Sequence, residues 1–183
     1  MHTEVHVHGD VPLRRGVGTA EVESALRAWL EYVDVDSLAE ATSAREDEPG
    51  IALDVRRRVL QICWTGYVGR NFGRAVESAL AALCEFVESP AEIDVTYYHE
   101  DGRDEFGVVF VGPSPESIVQ AKRTRMIEDV AALLGRQFGE AEIREVTGVI
   151  QRLFEEQAAR VEKSGPEPVA MPAPIRRGNR HLH

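Results

Sequence analysis

The sequence predicts an α+β fold: a mainly antiparallel sheet with helices packed on one face, followed by a C-terminal helical hairpin. Three observations predict it. Residues 3–13 and 93–110 alternate apolar and polar side chains, the mark of half-buried strands. Apolar stripes at helical spacing fall between the strand-like segments. After Gly112-Pro113 the pattern becomes helical alone. The expected order is β-α-β-α-β-β and then two helices. Residues 1–112 form the sandwich domain, 113–163 a helical hairpin packed on it or on a partner chain, and 164–183 a tail.

In the first strand Val5, Val7, Val11 and Leu13 share one face, and Glu4, His6, His8 and Asp10 the other. Pro12 lacks a ladder donor, so the strand ends there or lies at a sheet edge. Thr19 suits an N-cap with Glu21 and Glu23 in the first turn, and Val22, Leu26, Trp29 and Val33 make the stripe. Asp36 is placed to cap a short second helix over 37–47, before Pro49-Gly50 breaks the chain.

Residues 51–68 are rich in strand formers but change phase. Ile51, Leu53 and Val55 share one face, and Leu60, Ile62 and Trp64 the other. With no Gly, Asn or Pro near Arg56–Arg58 to make a turn, a single strand with a bulge is favoured. Two strands would instead give βαββαβ plus one strand, a ferredoxin-like plait. Asn71 caps the next helix, striped by Val76, Leu80, Leu83 and Val87 and stopped by Ser89-Pro90. Asp101-Gly102 is a preferred type I′ pair. A two-residue turn there pairs Tyr97 with Phe106, Val95 with Val108, and Ile93 with Phe110.

Ser114 and Pro115 then open a helix with Val119, Met126, Val130 and Leu133 as its stripe. Gly139 separates it from a second helix carrying Ile143, Val146, Ile150, Leu153 and Val161. So short a connection favours antiparallel neighbours. The tail beyond Gly165 is Pro-rich, basic and too poor in apolar residues to fold by itself, and it is expected to be disordered.

The net charge of −10 argues against nucleic-acid binding, which draws on clustered Lys and Arg. The charge is uneven. Residues 164–183 carry three Arg against one Glu, or +2, so residues 1–163 carry −10 − 2 = −12. Two cysteines in apolar surroundings, Cys63 and Cys84, read as small buried hydrophobes of a reducing compartment. No apolar run approaches the length of a membrane span, and no secretory signal pattern opens the chain, so a cytoplasmic protein is expected.

Candidate chemistry is sparse. On a strand, residues two apart point the same way about 7 Å apart, so His6 and His8 suit one divalent transition metal such as zinc, with Glu4 on the same face. The ordinary alternative is the solvated face of an edge strand, because a catalytic zinc wants three protein ligands and no third is evident. Arg70, Asn71, Arg74 and Gly69 mark an anion site where glycines lead into a helix start. The spacing is not that of a Walker A loop, since six residues separate Gly66 from Gly73. His99 and Asp104 flank the hairpin turn as an acid–base or merely polar pair. No nucleophile motif accompanies them.

Absent catalytic motifs and an appended amphipathic helix pair together point to a non-enzymatic protein without a cofactor. It is expected to work by self-assembly through the hairpin, or by binding a protein partner, as an accessory, adaptor or phage-type assembly component. The competing expectation is a small-ligand, anion- or metal-binding, enzyme-like module built on the His strand or the Gly/Arg loop.

Overall fold

The structure, a computed structural model, describes residues 3–164. The Pro-rich tail, His2, His181 and His183 lie outside the described residues, as does the side chain of Val161. The chain divides into two compact units, which among the described residues comprise 3–118 and 119–164.

The first unit is α+β, with a five-stranded open antiparallel sheet. Strands β1 (Thr3–Pro12), β2 (Gly50–Asp54), β3 (Val59–Val68), β4 (Ala91–Tyr98) and β5 (Glu105–Val111) lie in the order β2-β3-β1-β4-β5. Helices α1 (Thr19–Ala25), α2 (Arg27–Tyr32) and α3 (Phe72–Leu83) pack against one sheet face. That face presents Val5, Val7 and Val11 of β1, Leu60, Ile62 and Trp64 of β3, and Ile93 and Val95 of β4. At the centre Trp29 of α2 meets Trp64 edge-on at 5.7 Å and Phe72 of α3 at 6.0 Å, while Trp64 and Phe72 stack at 5.5 Å.

Several expectations are corrected. Strand β1 is central and not an edge, with β3 on one side and β4 on the other. Pro12 is tolerated because the β1–β4 ladder ends earlier, at His8↔Asp94. The N–H of the next residue, Leu13, donates to Arg58 on the β3 side, so the missing donor of Pro12 faces away from β3. Residues 51–68 are two strands joined at 55–58, not one bulged strand. Arg58 itself takes the left-handed conformation (φ 55°), and the Asp54 carboxylate accepts the Arg57 N–H at 2.9 Å. A charged side chain thus supplies the turn chemistry that Gly or Asn normally supplies.

The β4–β5 register is shifted by one residue from the two-residue turn. Thr96 pairs with Phe106, Tyr97 with Glu105 and Val95 with Gly107, leaving a loop over 99–104. Only Gly102 has positive φ there (70°), whereas a type I′ turn needs two such residues. A one-residue shift reverses the faces. Val109 and Val111 therefore turn to the core, while Phe106 and Val108 are exposed on the opposite side.

Two smaller differences concern helices. The N-cap of α1 is Gly18, one residue before Thr19, and the Glu21 carboxylate accepts the Gly18 N–H at 3.1 Å. The segment after Asp36 makes only a single 3-10 turn, Leu38–Glu40. Residues 41–49 then cross the back of the sheet, tied there by the Ala44 N–H donating to the Thr65 carbonyl at 2.8 Å.

The second unit is helical. Helix α4 (Pro115–Leu134) begins in the first unit and α5 is Glu140–Ser164. Ser114 caps α4, its Oγ accepting the Ser117 N–H at 3.2 Å. The unit boundary at Ile118 lies beyond Gly112 because the first turn of α4 belongs with the sheet unit: a Cβ on Gly112 would meet Ile118 Cγ1 at 3.0 Å. Among the described residues no helix is long and apolar enough to cross a membrane.

Candidate functional site

The polar side chains gather on the sheet face opposite the core. Antiparallel pairing sets Cys63 of β3 directly across from His8, and Thr65 across from His6. Thr96 and Asp94 of β4 face His6 and His8 from the other side. The period-two geometry of strands puts all of these on one face. One ligand atom from each of His6, His8 and Cys63 lies within 4.8 Å of the others. The two imidazole rings are nearly parallel, 12° apart with centroids at 6.0 Å.

His6 is held from behind. Its Nδ1 is 2.9 Å from the Thr65 hydroxyl and 3.5 Å from Glu48 Oε1. Thr65 is buried, and its N–H donates to Ser43 Oγ at 2.9 Å, while the Ser43 hydroxyl donates to Glu48 Oε2 at 2.5 Å. The imidazole of β1 is therefore fixed by the Thr65 hydroxyl of β3 and by the Glu48 carboxylate of the 41–49 segment, which Ser43 braces. Burial works against the charge on Glu48. Hydrogen bonds from Ser43 and Thr65, with His6 and Arg45 nearby, outweigh burial and hold its carboxyl below the ordinary glutamate value.

A carboxylate with a lowered folded-state pKa binds fewer protons than the same group in the unfolded chain. Its contribution is complete above the unfolded value and is lost as pH falls through the folded one. Urea midpoints measured from pH 7 down through the acid range should therefore fall less steeply for Glu48→Gln than for the natural chain. Equal slopes would show that Glu48 makes no such contribution.

Burial pushes the Cys63 thiol up, and the carboxylates of Glu48 and Asp47 add to the effect. The free thiol therefore keeps its proton at neutral pH, and only a cation close to the sulfur would reverse that balance. Glu4 is engaged elsewhere: its carboxylate is 2.6 Å from Arg45. The other cysteine, Cys84, donates to the Leu80 carbonyl at 3.4 Å within its own helical turn.

Arg70, Asn71 and Arg74 are exposed at the start of α3, and Asn71 precedes its first turn without a side-chain cap. The Gly69 N–H is already taken by the Tyr32 hydroxyl at 2.7 Å. At the hairpin it is the backbone N–H of His99 that Asp104 accepts, at 3.3 Å. His99 Nε2 is buried without a hydrogen-bond partner.

Of the residues anticipated from sequence, His6 and His8 come together and Glu4 turns to Arg45. The unanticipated member is Cys63. Its signal was the alternation of Ile62 and Trp64 inward, which puts Cys63 outward; its pairing with His8 depends on strand register.

The sequence model of a family of unknown function, DUF6806, matches residues 3–155. The chain belongs to this family. The match takes in all five strands, α1 to α4 and most of α5. Neither a curated protein nor a solved structure matches the chain.

Proposed function

We propose that this member of the DUF6806 family is a non-enzymatic protein that works by associating with copies of itself through α4 and α5. One observation carries the reading. Among the described residues of 119–164 none is buried, yet apolar side chains recur along both helices. Val119, Met126 and Leu133 stand seven residues apart on α4 and are 46%, 47% and 67% exposed. On α5, Val146, Val149 and Leu153 are likewise exposed. Seven-residue spacing aligns side chains on one helix seam, the arrangement used between associating helices. Single exposed hydrophobes are ordinary; a repeated stripe marks an interaction surface.

A second set, Ile143, Thr147, Ile150 and Phe154, is half-buried on α5 at alternating four- and three-residue steps. With only residues 135–139 between the helices, this supports reading them as an antiparallel hairpin with an inner seam and an outer one. The strand order β2-β3-β1-β4 supports reading the first unit as a ferredoxin-like plait, extended by β5 at its edge. The exposed Phe106 and Val108 of that edge strand give a protein partner a further apolar surface.

Light scattering on the full chain should give a mass of at least two copies. Met126→Glu with Leu133→Glu should shift the protein towards the monomer, weakening association at least about tenfold, since each charge must be desolvated in an apolar seam. Far-UV circular dichroism should stay unchanged. A natural chain that is monomeric across the concentration range would sink the proposal.

A further inference from the structure

We propose that His6, His8 and Cys63 bind one divalent transition-metal ion, zinc in the first instance, with the fourth coordination position left open. The donors come from two hydrogen-bonded strands at the middle of the sheet, so the sheet register fixes their backbones before any ion arrives. Their ligand atoms already lie within 4.8 Å of one another. A tetrahedral ion with bonds of about 2.0–2.3 Å needs donors roughly 3.3–3.6 Å apart, a contraction within reach of side-chain rotation.

The donor chemistry is selective. A thiolate with two imidazoles suits borderline-to-soft ions and disfavours magnesium or calcium, which take oxygen ligands. The surroundings are those of a supported ligand. Metal-bound histidines usually engage their second ring nitrogen with a carboxylate or another polar group, and His6 Nδ1 has Thr65 and Glu48 in that place. This leaves Nε2 of His6 for the metal.

The electrostatics agree. Two neutral imidazoles and one thiolate leave a bound divalent ion with a net charge of +1, and Glu48 and Asp47 act on the same sulfur. Binding converts the Cys63 thiol to a thiolate and releases one proton to solvent. Three protein donors on a partly exposed sheet face leave water or another small ligand in the fourth position, the pattern of zinc sites that exchange ligands. This inference is independent of assembly through the helices, because no donor lies in the second unit.

The test uses full-length protein, stripped with a chelator under reducing conditions and titrated with Co²⁺ and then Zn²⁺. One Co²⁺ per chain with a thiolate-to-cobalt charge-transfer band is expected, displaced stoichiometrically by Zn²⁺. Cys63→Ser should abolish the band. His8→Ala, at an exposed position, should weaken binding at least about tenfold while leaving the fold intact. Glu48→Gln should weaken it by about 10–100-fold at unchanged stoichiometry, the usual cost of losing a group that supports a ligand. His181→Ala with His183→Ala should change nothing. Failure to bind stoichiometrically, a band that survives Cys63→Ser, unchanged affinity in His8→Ala, or binding lost in the His181/His183 variant would each overturn the proposal.

Discussion

Trp29→Ala is expected to remove roughly 3–5 kcal/mol of stability, the cost of deleting a large buried aromatic side chain and leaving its cavity. Trp29 has no exposed surface, and its ring forms the edge-on partner of both Trp64 and Phe72. Such aromatic pairs contribute about 0.5–1.5 kcal/mol beyond the area they bury. A domain of ordinary stability has only about 5–15 kcal/mol in total, so this one change should remove a large share of it. The indole Nε1 of Trp29 is buried without a hydrogen-bond partner, an unfavourable feature that a phenyl ring lacks. Trp29→Phe should therefore cost markedly less than Trp29→Ala. Guanidinium unfolding followed by tryptophan fluorescence would measure both, because the chain's two tryptophans, Trp29 and Trp64, are neighbours in this cluster. A loss below about 1 kcal/mol in Trp29→Ala would show that the cluster is not the core's organising contact.

That cluster also explains why the fold class was legible. Alternation along β1 and the helical stripes of α1, α2 and α3 are each dictated by one buried face, and burial of Val5, Val7, Trp29 and Leu80 follows directly. The details that failed depend on backbone chemistry that side-chain patterning does not encode. At 55–58 the phase change was visible, but the left-handed residue is an arginine, a type that rarely takes that role. At the β4–β5 connection the two-residue turn sets Phe106, Val108 and Phe110 against the apolar face of β4, whereas the sheet sets Glu105, Gly107, Val109 and Val111 there. The two-residue turn therefore looked consistent although the sheet uses the other register. The half-buried Val109 and the buried Val111, not Phe106 and Val108, decide it.

The candidate site was half legible for the same reason. A pair of imidazoles two residues apart on one strand is a local pattern, and His6 and His8 announce it. The third donor is separated by more than fifty positions, and only the pairing of β1 with β3 brings Cys63 opposite His8. Glu48 is harder still, since it reaches His6 from an irregular segment whose path depends on contacts with Thr65. What the sequence carried was one strand's share of a cluster built by three segments.

Gly50→Ala is the second large expected loss, roughly 2–4 kcal/mol, from two separate causes. Gly50 has φ of 76°, where an alanine pays about 1–2 kcal/mol for its Cβ. That Cβ would also collide with the Ala41 carbonyl oxygen and come within 3.0 Å of Thr42 Cα and 3.2 Å of Ser43 N. These are backbone atoms, so the 41–43 segment has to move. The Ala41 oxygen also accepts the Ile51 N–H at 3.1 Å, which ties the segment to β2. Gly102 provides the control. Its φ is 70° but a Cβ there meets nothing within 4 Å, so Gly102→Ala should show the conformational cost alone. The displaced segment holds Ser43 against Thr65 and Glu48 against His6, so the damage should reach the polar face. Hydrogen exchange should quicken at the Thr65 and Ala44 amides in Gly50→Ala and stay unchanged in Gly102→Ala, because those amides donate to Ser43 Oγ and to the Thr65 carbonyl. Equal stability losses in the two variants would show that the 41–43 segment yields freely, and that the fold does not rigidly place the groups behind His6.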